Sequence, residues 1–341
     1  MDFTAQQIQA LHAQLREHLG PVVCAALEDE TVTDIKCSDG VVWLVKHQLG
    51  DVRTEGFLSE HERRLAVNLM ARLRGKHVNA ESPRLRVELV WTGNRVHRVQ
   101  GFVPPVAPPS FYIRRHAPEV FTWADYVNKK IMDPWQVDVL RAHIQKRSNI
   151  GFSGATGSGK TTLLNTAIGE IVDSQEHVTI LEDTPEIRCE SPNVTRLVTN
   201  DTVSLQQLVI DAMRVAPKRI VVGEVRGAEG VSVMEALSTG HGGCMFTVHA
   251  NSARGVFERF AQFCQQAGLP PLWRLMQSTF GLIVHMEMTP LGRRVVAMEE
   301  VTDEHIEPIP VGLKRLGPIM ANGLTHPPTP WKTGSAAEGA R

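Results

Sequence analysis

The chain has 341 residues, with 36 Lys+Arg against 37 Asp+Glu, a formal net charge of -1, 42% hydrophobic and 21% charged residues. Such a composition supports a packed core and excludes wholesale disorder, and the near-neutral balance argues against a uniformly basic nucleic-acid binder. At about 150 residues per domain, two domains are expected.

No apolar run approaches the ~20 residues that span a bilayer. The start, Met1-Asp2-Phe3-Thr4-Ala5-Gln6-Gln7, has neither a basic stretch nor an apolar one, so no signal peptide and a cytosolic chain are expected. Cys24, Cys37, Cys189, Cys244 and Cys264 are scattered and never form Cys-x-x-Cys. They read as small buried or half-buried thiols.

Ile8, Leu11, Leu15 and Leu19 recur at helical steps and predict a helix with one apolar face. Asp39-Gly40 ahead of Val41-Val42-Trp43-Leu44-Val45 predicts a hairpin. Ser59 and Glu62 form a capping box that opens a helix, which Gly75 can close. Leu85, Val87 and Leu89 alternate as in a half-buried strand, turned back at Thr92-Gly93-Asn94. Residues 1–101 therefore read as a small α+β domain. The run Phe102–Phe111 carries prolines at 104, 105, 108 and 109. Proline fixes φ and lacks a donor, so 102–115 is expected to be a linker.

From 116 to 310 the rhythm becomes strand, helix, strand, helix. Apolar runs near 149–153, 178–181, 220–223 and 244–248 alternate with helical patterns at 160–172, 204–215 and 228–238. The alternation predicts an α/β domain with a mostly parallel sheet. Residues 311–341, rich in Pro, Gly, Ser and Ala, are expected to form a flexible tail.

Gly154-Ala155-Thr156-Gly157-Ser158-Gly159-Lys160-Thr161 satisfies G-x-x-x-x-G-K-[ST], with a short strand before it and a helix after it. Glycines let successive backbone N–H groups point inward around phosphates, and the helix N-terminus adds partial positive charge. Lys160 is expected to reach the β- and γ-phosphates of ATP, and the Thr161 hydroxyl to bind Mg2+. With the adjoining Thr162, these residues form the expected nucleotide-binding set.

Hydrolysis also needs a carboxylate to orient water and help hold the metal. Arg219-Ile220-Val221-Val222-Gly223-Glu224 is an apolar strand ending in an acid, and Val178-Thr179-Ile180-Leu181-Glu182-Asp183 is another. Strand C-termini are where ligands sit in open α/β sheets. Glu224 is the expected catalytic carboxylate, with Glu182 and Asp183 supporting metal and water. The segment Thr239 to Asn251 runs from a Gly-rich turn into a strand ending at His249. Its histidines read as a γ-phosphate sensor or interface contact, as a zinc site of His241, Cys244 and His249, or as ordinary loop histidines. Spacing leaves these open.

GATGSGKTTLLN, TILEDTPEI, RVAPKRIVVGEVRGAE and TGHGGCMFTVHAN resemble, in that order, the Walker A, Asp box, Walker B and His box of the secretion ATPases. That superfamily covers type IV secretion and conjugation, type II secretion and type IV pilus motors. Upstream, LGPVVCAALEDETVTDIKCSDGVVWLV looks like the first domain of TrbB-type conjugal transfer ATPases, and FYIRRHAPEVFTWADYV is similar to their linker. The resemblance spans about residues 18 to 302.

It implies a RecA-like P-loop ATPase forming a homo-hexamer, working with other components at the cytoplasmic face of the inner membrane. The task implied is pilus assembly or substrate transfer. Lys160 and Thr161 correspond to the phosphate and Mg2+ ligands, and Glu224 to the Walker B acid. Glu182 and Asp183 fall in the Asp box, Arg226 in the Walker B stretch, and His241 and His249 in the His box. Arg226, His241 and His249 are the candidates for phosphate sensing or interface contact. Arg114 matches the linker arginine that family members bring towards nucleotide. The absent four-Cys zinc motif and the Asp183-Thr184-Pro185 sequence favour the conjugation branch. The alternatives are a pilus motor, a DNA translocase and a non-hydrolysing scaffold. Direct nucleic-acid binding is not expected, because the sequence shows no basic stripe interleaved with aromatics. The helix at 8–19 lacks a basic polar face, so membrane contact is expected through partners.

Overall fold

A computed structural model describes residues 4–46, 49–91, 95–115, 121–171, 175–200, 202–240, 242–301 and 316–318. The chain forms two units, Met1–Glu119 and Val120–Arg341.

Among the described residues, the first unit carries two helices and a six-stranded antiparallel sheet. Helix α1 (Ala5–Glu28) is opened by a Thr4–Gln7 capping box and kinks at Gly20, just before Pro21. Leu11, Leu15 and Leu19 are buried, and Val23, Ala26 and Leu27 continue the stripe. Ile8 is exposed, so the apolar face begins one turn later than the periodicity suggests. Strands β1 (Val32–Cys37) and β2 (Val41–Lys46) form the hairpin turned at Gly40, whose φ of 107° only glycine adopts freely. Strand β3 is Gly50–Phe57. Helix α2 (Glu60–Arg72) has the Ser59–Glu62 capping box, and Gly75, at φ 65°, lies in the turn that ends it. Strand β4 (Arg84–Val90) buries Leu85, Val87 and Leu89 and pairs with β5 (Val96–Phe102). The turn expected at Thr92-Gly93-Asn94 lies outside the described residues.

The expected linker at 102–115 is corrected. Its second half is strand β6 (Ser110–Arg115), hydrogen-bonded to both β1 and β5, in the sheet order β3-β2-β1-β6-β5-β4. The prolines occupy only the connection from β5 to β6; beyond them, Phe111 and Ile113 alternate inward and are fully buried. Proline excludes a strand where it stands, not after it. The buried Arg63 of α2 pins this connection, donating from Nε to Pro109 O (2.7 Å) and from NH1 to Leu58 O (2.6 Å).

The second unit is α/β. In chain order it has α3 (Trp123–Asn128), α4 (Pro134–Gln145), β7 (Ile150–Gly154), α5 (Lys160–Gly169), β8 (Val178–Glu182), β9 (Val194–Val198), α6 (Leu205–Ala212) and β10 (Arg219–Val225). There follow α7 (Glu229–Ser238), β11 (Met245–Val248), α8 (Gly255–Gln266), α9 (Trp273–Thr279), β12 (Leu282–Thr289), β13 (Gly292–Val301) and β14 (Leu316–Pro318). The sheet order is β14-β13-β12-β7-β11-β10-β8-β9. Strands β12 through β9 in that order are mutually parallel, and β13 and β14 extend the sheet antiparallel. Apart from β14, residues 311–341 lie outside the described residues.

Neighbouring strand residues alternate between two cores, as helices on both faces of a parallel sheet require. Val221, Met245 and Ile180 pack with α4 and α5, whereas Ile220, Val222, Phe246 and Leu181 pack with α6 to α9. On that second face Phe246, Phe257, Phe260, Phe263 and Phe280 form a cluster of edge-on and tilted rings.

Arg63→Ala should destabilise the first unit by roughly 2 kcal/mol, because two carbonyls lose a charged donor. Urea denaturation checks this; an unchanged midpoint would contradict the clamp.

Candidate nucleotide site

Strand β7 ends at Gly154 and α5 begins at Lys160, so the phosphate-loop motif spans the turn between them. Three of its glycines need backbone that other residues avoid: Gly154 (φ 146°), Gly157 (φ 77°) and Gly159 (φ 104°). A Cβ on Gly154 would overlap Met286 O and crowd the Ser158 hydroxyl. Ala155, Thr156 and Gly157 are exposed at the crest, whereas Ser158 and Lys160 are buried. Thr161 and Thr162 follow, half-buried, in the first turn of α5.

The Lys160 ammonium folds back on its own loop, donating to Gly154 O (2.9 Å) and Ala155 O (2.8 Å). Burial lowers its pKa to about 8, against the opposing pull of Glu224 and Glu186. Ser158 Oγ is buried and has no hydrogen-bond partner among the described residues. A buried cation and an unsatisfied hydroxyl inside a glycine cradle are the donor set that a polyphosphate satisfies.

The acids arrive from neighbouring strands. Because β7, β11, β10 and β8 are adjacent and parallel, their C-terminal ends lie side by side. His249, just past β11, joins the loop to the acids. Its Nδ1 lies 3.2 Å from Gly154 O and 3.4 Å from Lys160 Nζ, and its Nε2 lies 2.9 Å from Glu224 Oε1. Arg226 joins the acids to each other, donating to Glu224 Oε2 and to Asp183 Oδ2, both at 2.7 Å. Thr199 Oγ1 donates to the other Asp183 oxygen at 3.0 Å. Burial alone would raise the Glu224 carboxyl, but the His249 and Arg226 hydrogen bonds and the Arg226 charge outweigh it. They hold Glu224 well below the ordinary carboxylate range.

Glu182 stands apart from that network. Its Oε1 accepts the backbone N–H groups of Glu186 and Ile187, both at 2.7 Å, and so staples the loop after β8. Its Oε2 is buried without a hydrogen-bond partner, with Arg196 NH1 4.0 Å away. Gly223 leaves it room: a Cβ there would lie 3.2 Å from Glu182 Cγ. Burial pushes Glu182 up to about 7, despite the two N–H donors and Arg196.

Of the other expected site residues, Arg114 lies in the first unit, on β6, where its Nε donates to Asp34 (2.8 Å). His241 lies outside the described residues. The possible zinc trio gains no support from Cys244, which is fully buried and accepts the Ile220 N–H through its sulfur. Among the described residues no group of three His, Cys, Asp or Glu side chains converges as a metal site.

Sequence reading missed the strand beside the loop. On β12, His285 shares a hydrogen bond with Ser153 Oγ (2.9 Å) and lies 3.3 Å from Glu287. On β13, Arg293 donates from Nε to Gly157 O (2.9 Å). The available signal was the apolar alternation of Leu282, Val284 and Met286, but only strand order puts it next to β7.

The position of Glu182 has a measurable consequence. Its folded pKa, about 7, exceeds the ordinary 4.5. Between those values the native protein keeps a proton that the unfolded chain has released, so stability falls as pH rises through this window, by ~3 kcal/mol. Glu182→Gln removes the titration. Its unfolding free energy relative to wild type should rise by ~3 kcal/mol from about pH 4 to about pH 8, as read by urea denaturation. A difference independent of pH would contradict the assignment.

The profile of the family described as "Type II/IV secretion system protein" matches residues 45–302. The chain is 39% identical to a protein described as "Probable conjugal transfer protein TrbB" from Sinorhizobium fredii, over 83% of this chain and 87% of that one. Among solved structures, the Legionella pneumophila ATPase DotB is similar at a TM-score of 0.61 and 20% identity, over 82% of this chain and 79% of that one. The pilus retraction motor PilT with bound ADP is similar at a TM-score of 0.59 and 20% identity, over 82% and 80%. These two structures share the fold. The four motifs seen in the sequence thus belong to a match that runs through both units, and the chain is a member of the type II/IV secretion system protein family.

Proposed function

We propose that the protein is an ATP-hydrolysing motor that powers conjugal transfer or a related type IV secretion process. The observation that carries this reading is the continuous link from Lys160 through His249 to Glu224. It ties the phosphate-binding residue to the acid that would handle water.

In this reading the loop N–H groups and Lys160 grip the β- and γ-phosphates of ATP, and Ser158 Oγ gains the partner it lacks. The Thr161 hydroxyl would hold Mg2+ together with nucleotide. When bound, the ion neutralises charge shared between phosphate oxygens. Glu224, kept ionised by Arg226 and His249, accepts a hydrogen bond from the attacking water and aims it at the γ-phosphorus. Asp183 fixes Arg226, and so the position of Glu224, from the opposite side. His249 contacts both the loop and Glu224, which suits it to reporting the state of the γ-phosphate. Glu182 holds the Asp-box loop in place through the N–H groups of Glu186 and Ile187.

The motor would act as a homo-hexameric ring, its work coming from motion coupled to nucleotide state. Among the described residues no helix is long and apolar enough to cross a membrane. We place the ring at the cytoplasmic face of the inner membrane, held there by partner proteins of the secretion machine.

Lys160→Ala should abolish nucleotide binding. Glu224→Gln should keep binding while slowing turnover by ~100-fold or more. Steady-state ATPase assays with light scattering for assembly check both. Full turnover by Glu224→Gln, or a protein that stays monomeric with saturating nucleotide, would overturn the proposal.

A further inference from the structure

The phosphate loop has a second support that none of its sequence motifs contains. The β12–β13 hairpin is built onto it at three points. Before the loop, Ser153 Oγ meets the buried His285, whose other nitrogen faces Glu287. At the loop's first residue, Gly154 pairs with Met286 so closely that Met286 O stands where a Cβ would go. At the crest, the Arg293 side chain lies along residues 157 to 159. Its Nε donates to Gly157 O at 2.9 Å, and its Cδ lies 3.4 Å from where a Gly159 Cβ would be.

A guanidinium has five N–H donors, and the Gly157 bond uses only the one on Nε. Among the described residues, neither terminal NH2 group of Arg293 has a hydrogen-bond or carboxylate partner. A half-buried cation, anchored by its own Nε to the exposed crest of a phosphate loop, carries a planar pair of donors suited to phosphate oxygens. The anchoring removes much of the rotamer freedom that an unattached arginine loses on binding.

We propose that Arg293 is a nucleotide-binding residue: it supplies a positive charge and hydrogen-bond donors to the terminal phosphate from the β12–β13 hairpin, a contact additional to Lys160. This rests on the reading of the loop as an ATP site. His285 and Glu287 are positioning residues that hold the hairpin against the loop.

Two substitutions separate charge from scaffolding. In Arg293→Gln the amide nitrogen falls at the same place along the side chain as the arginine Nε, so the Gly157 bond can persist while the charge is lost. In Arg293→Lys the charge persists and that bond is lost. Calorimetric titration with ADP and with a non-hydrolysable ATP analogue, alongside Lys160→Ala, reads the outcome.

Arg293→Gln should weaken the ATP analogue by roughly tenfold and ADP by less, whereas Arg293→Lys should keep most of the affinity. Wild-type affinity in Arg293→Gln, or an equal loss for both nucleotides, would overturn the role of Arg293 and leave the ATP site standing. If wild type binds neither nucleotide, or Lys160→Ala binds both as tightly as wild type, the reading of the site falls and this proposal with it.

Discussion

His249 is placed between a carbonyl of the phosphate loop and the carboxylate of Glu224, and the rest of the site is arranged around that junction. It can exist because β11 runs parallel between β7 and β10. Each of the three strands ends at the same edge, so the loop after β7, the histidine after β11 and the acid on β10 meet without long side chains having to reach. A single change in strand order would separate them. The two packed faces of the sheet, one built on α4 and α5 and the other on the phenylalanine cluster, therefore serve the site by fixing that order.

The site holds its charges at a cost, and each is met by a different device. Lys160 is buried and partly loses its preference for the proton, yet two loop carbonyls satisfy its donors. Glu224 is half-buried, and two cationic or polar partners keep it ionised. Glu182 lacks such partners on one oxygen and shifts the other way. Three ionisable groups within one strand edge thus have pKa values pushed apart by their surroundings. That is the pattern expected where groups have distinct tasks. The difference between Glu224 and Glu182 separates an acid paired with His249 and Arg226 from one that staples a loop.

Much of this was legible in the sequence, and the limits have physical causes. The phosphate loop was readable because its glycines, lysine and flanking strand and helix are contiguous. Glu224 and Asp183 were readable because apolar strands end on them. Glu182 stands at the end of an apolar run, but no sequence pattern shows that its side chain accepts the backbone N–H groups of Glu186 and Ile187. The prolines before Ser110 hid β6, since they interrupt the chain immediately before a strand that long-range pairing stabilises. His285 and Arg293 were invisible as loop contacts because more than 130 residues separate them from Ser153 and Gly157. Only the parallel pairing of β12 with β7 brings them together.

A double-mutant cycle on ATP turnover tests most directly whether the phosphate loop is coupled to the acid through His249. His249→Ala and Glu224→Gln are compared singly and together. If the histidine acts through Glu224, the double variant should be little slower than Glu224→Gln alone, which means strongly non-additive effects. Additive losses would show that the two side chains act independently and would contradict the central link.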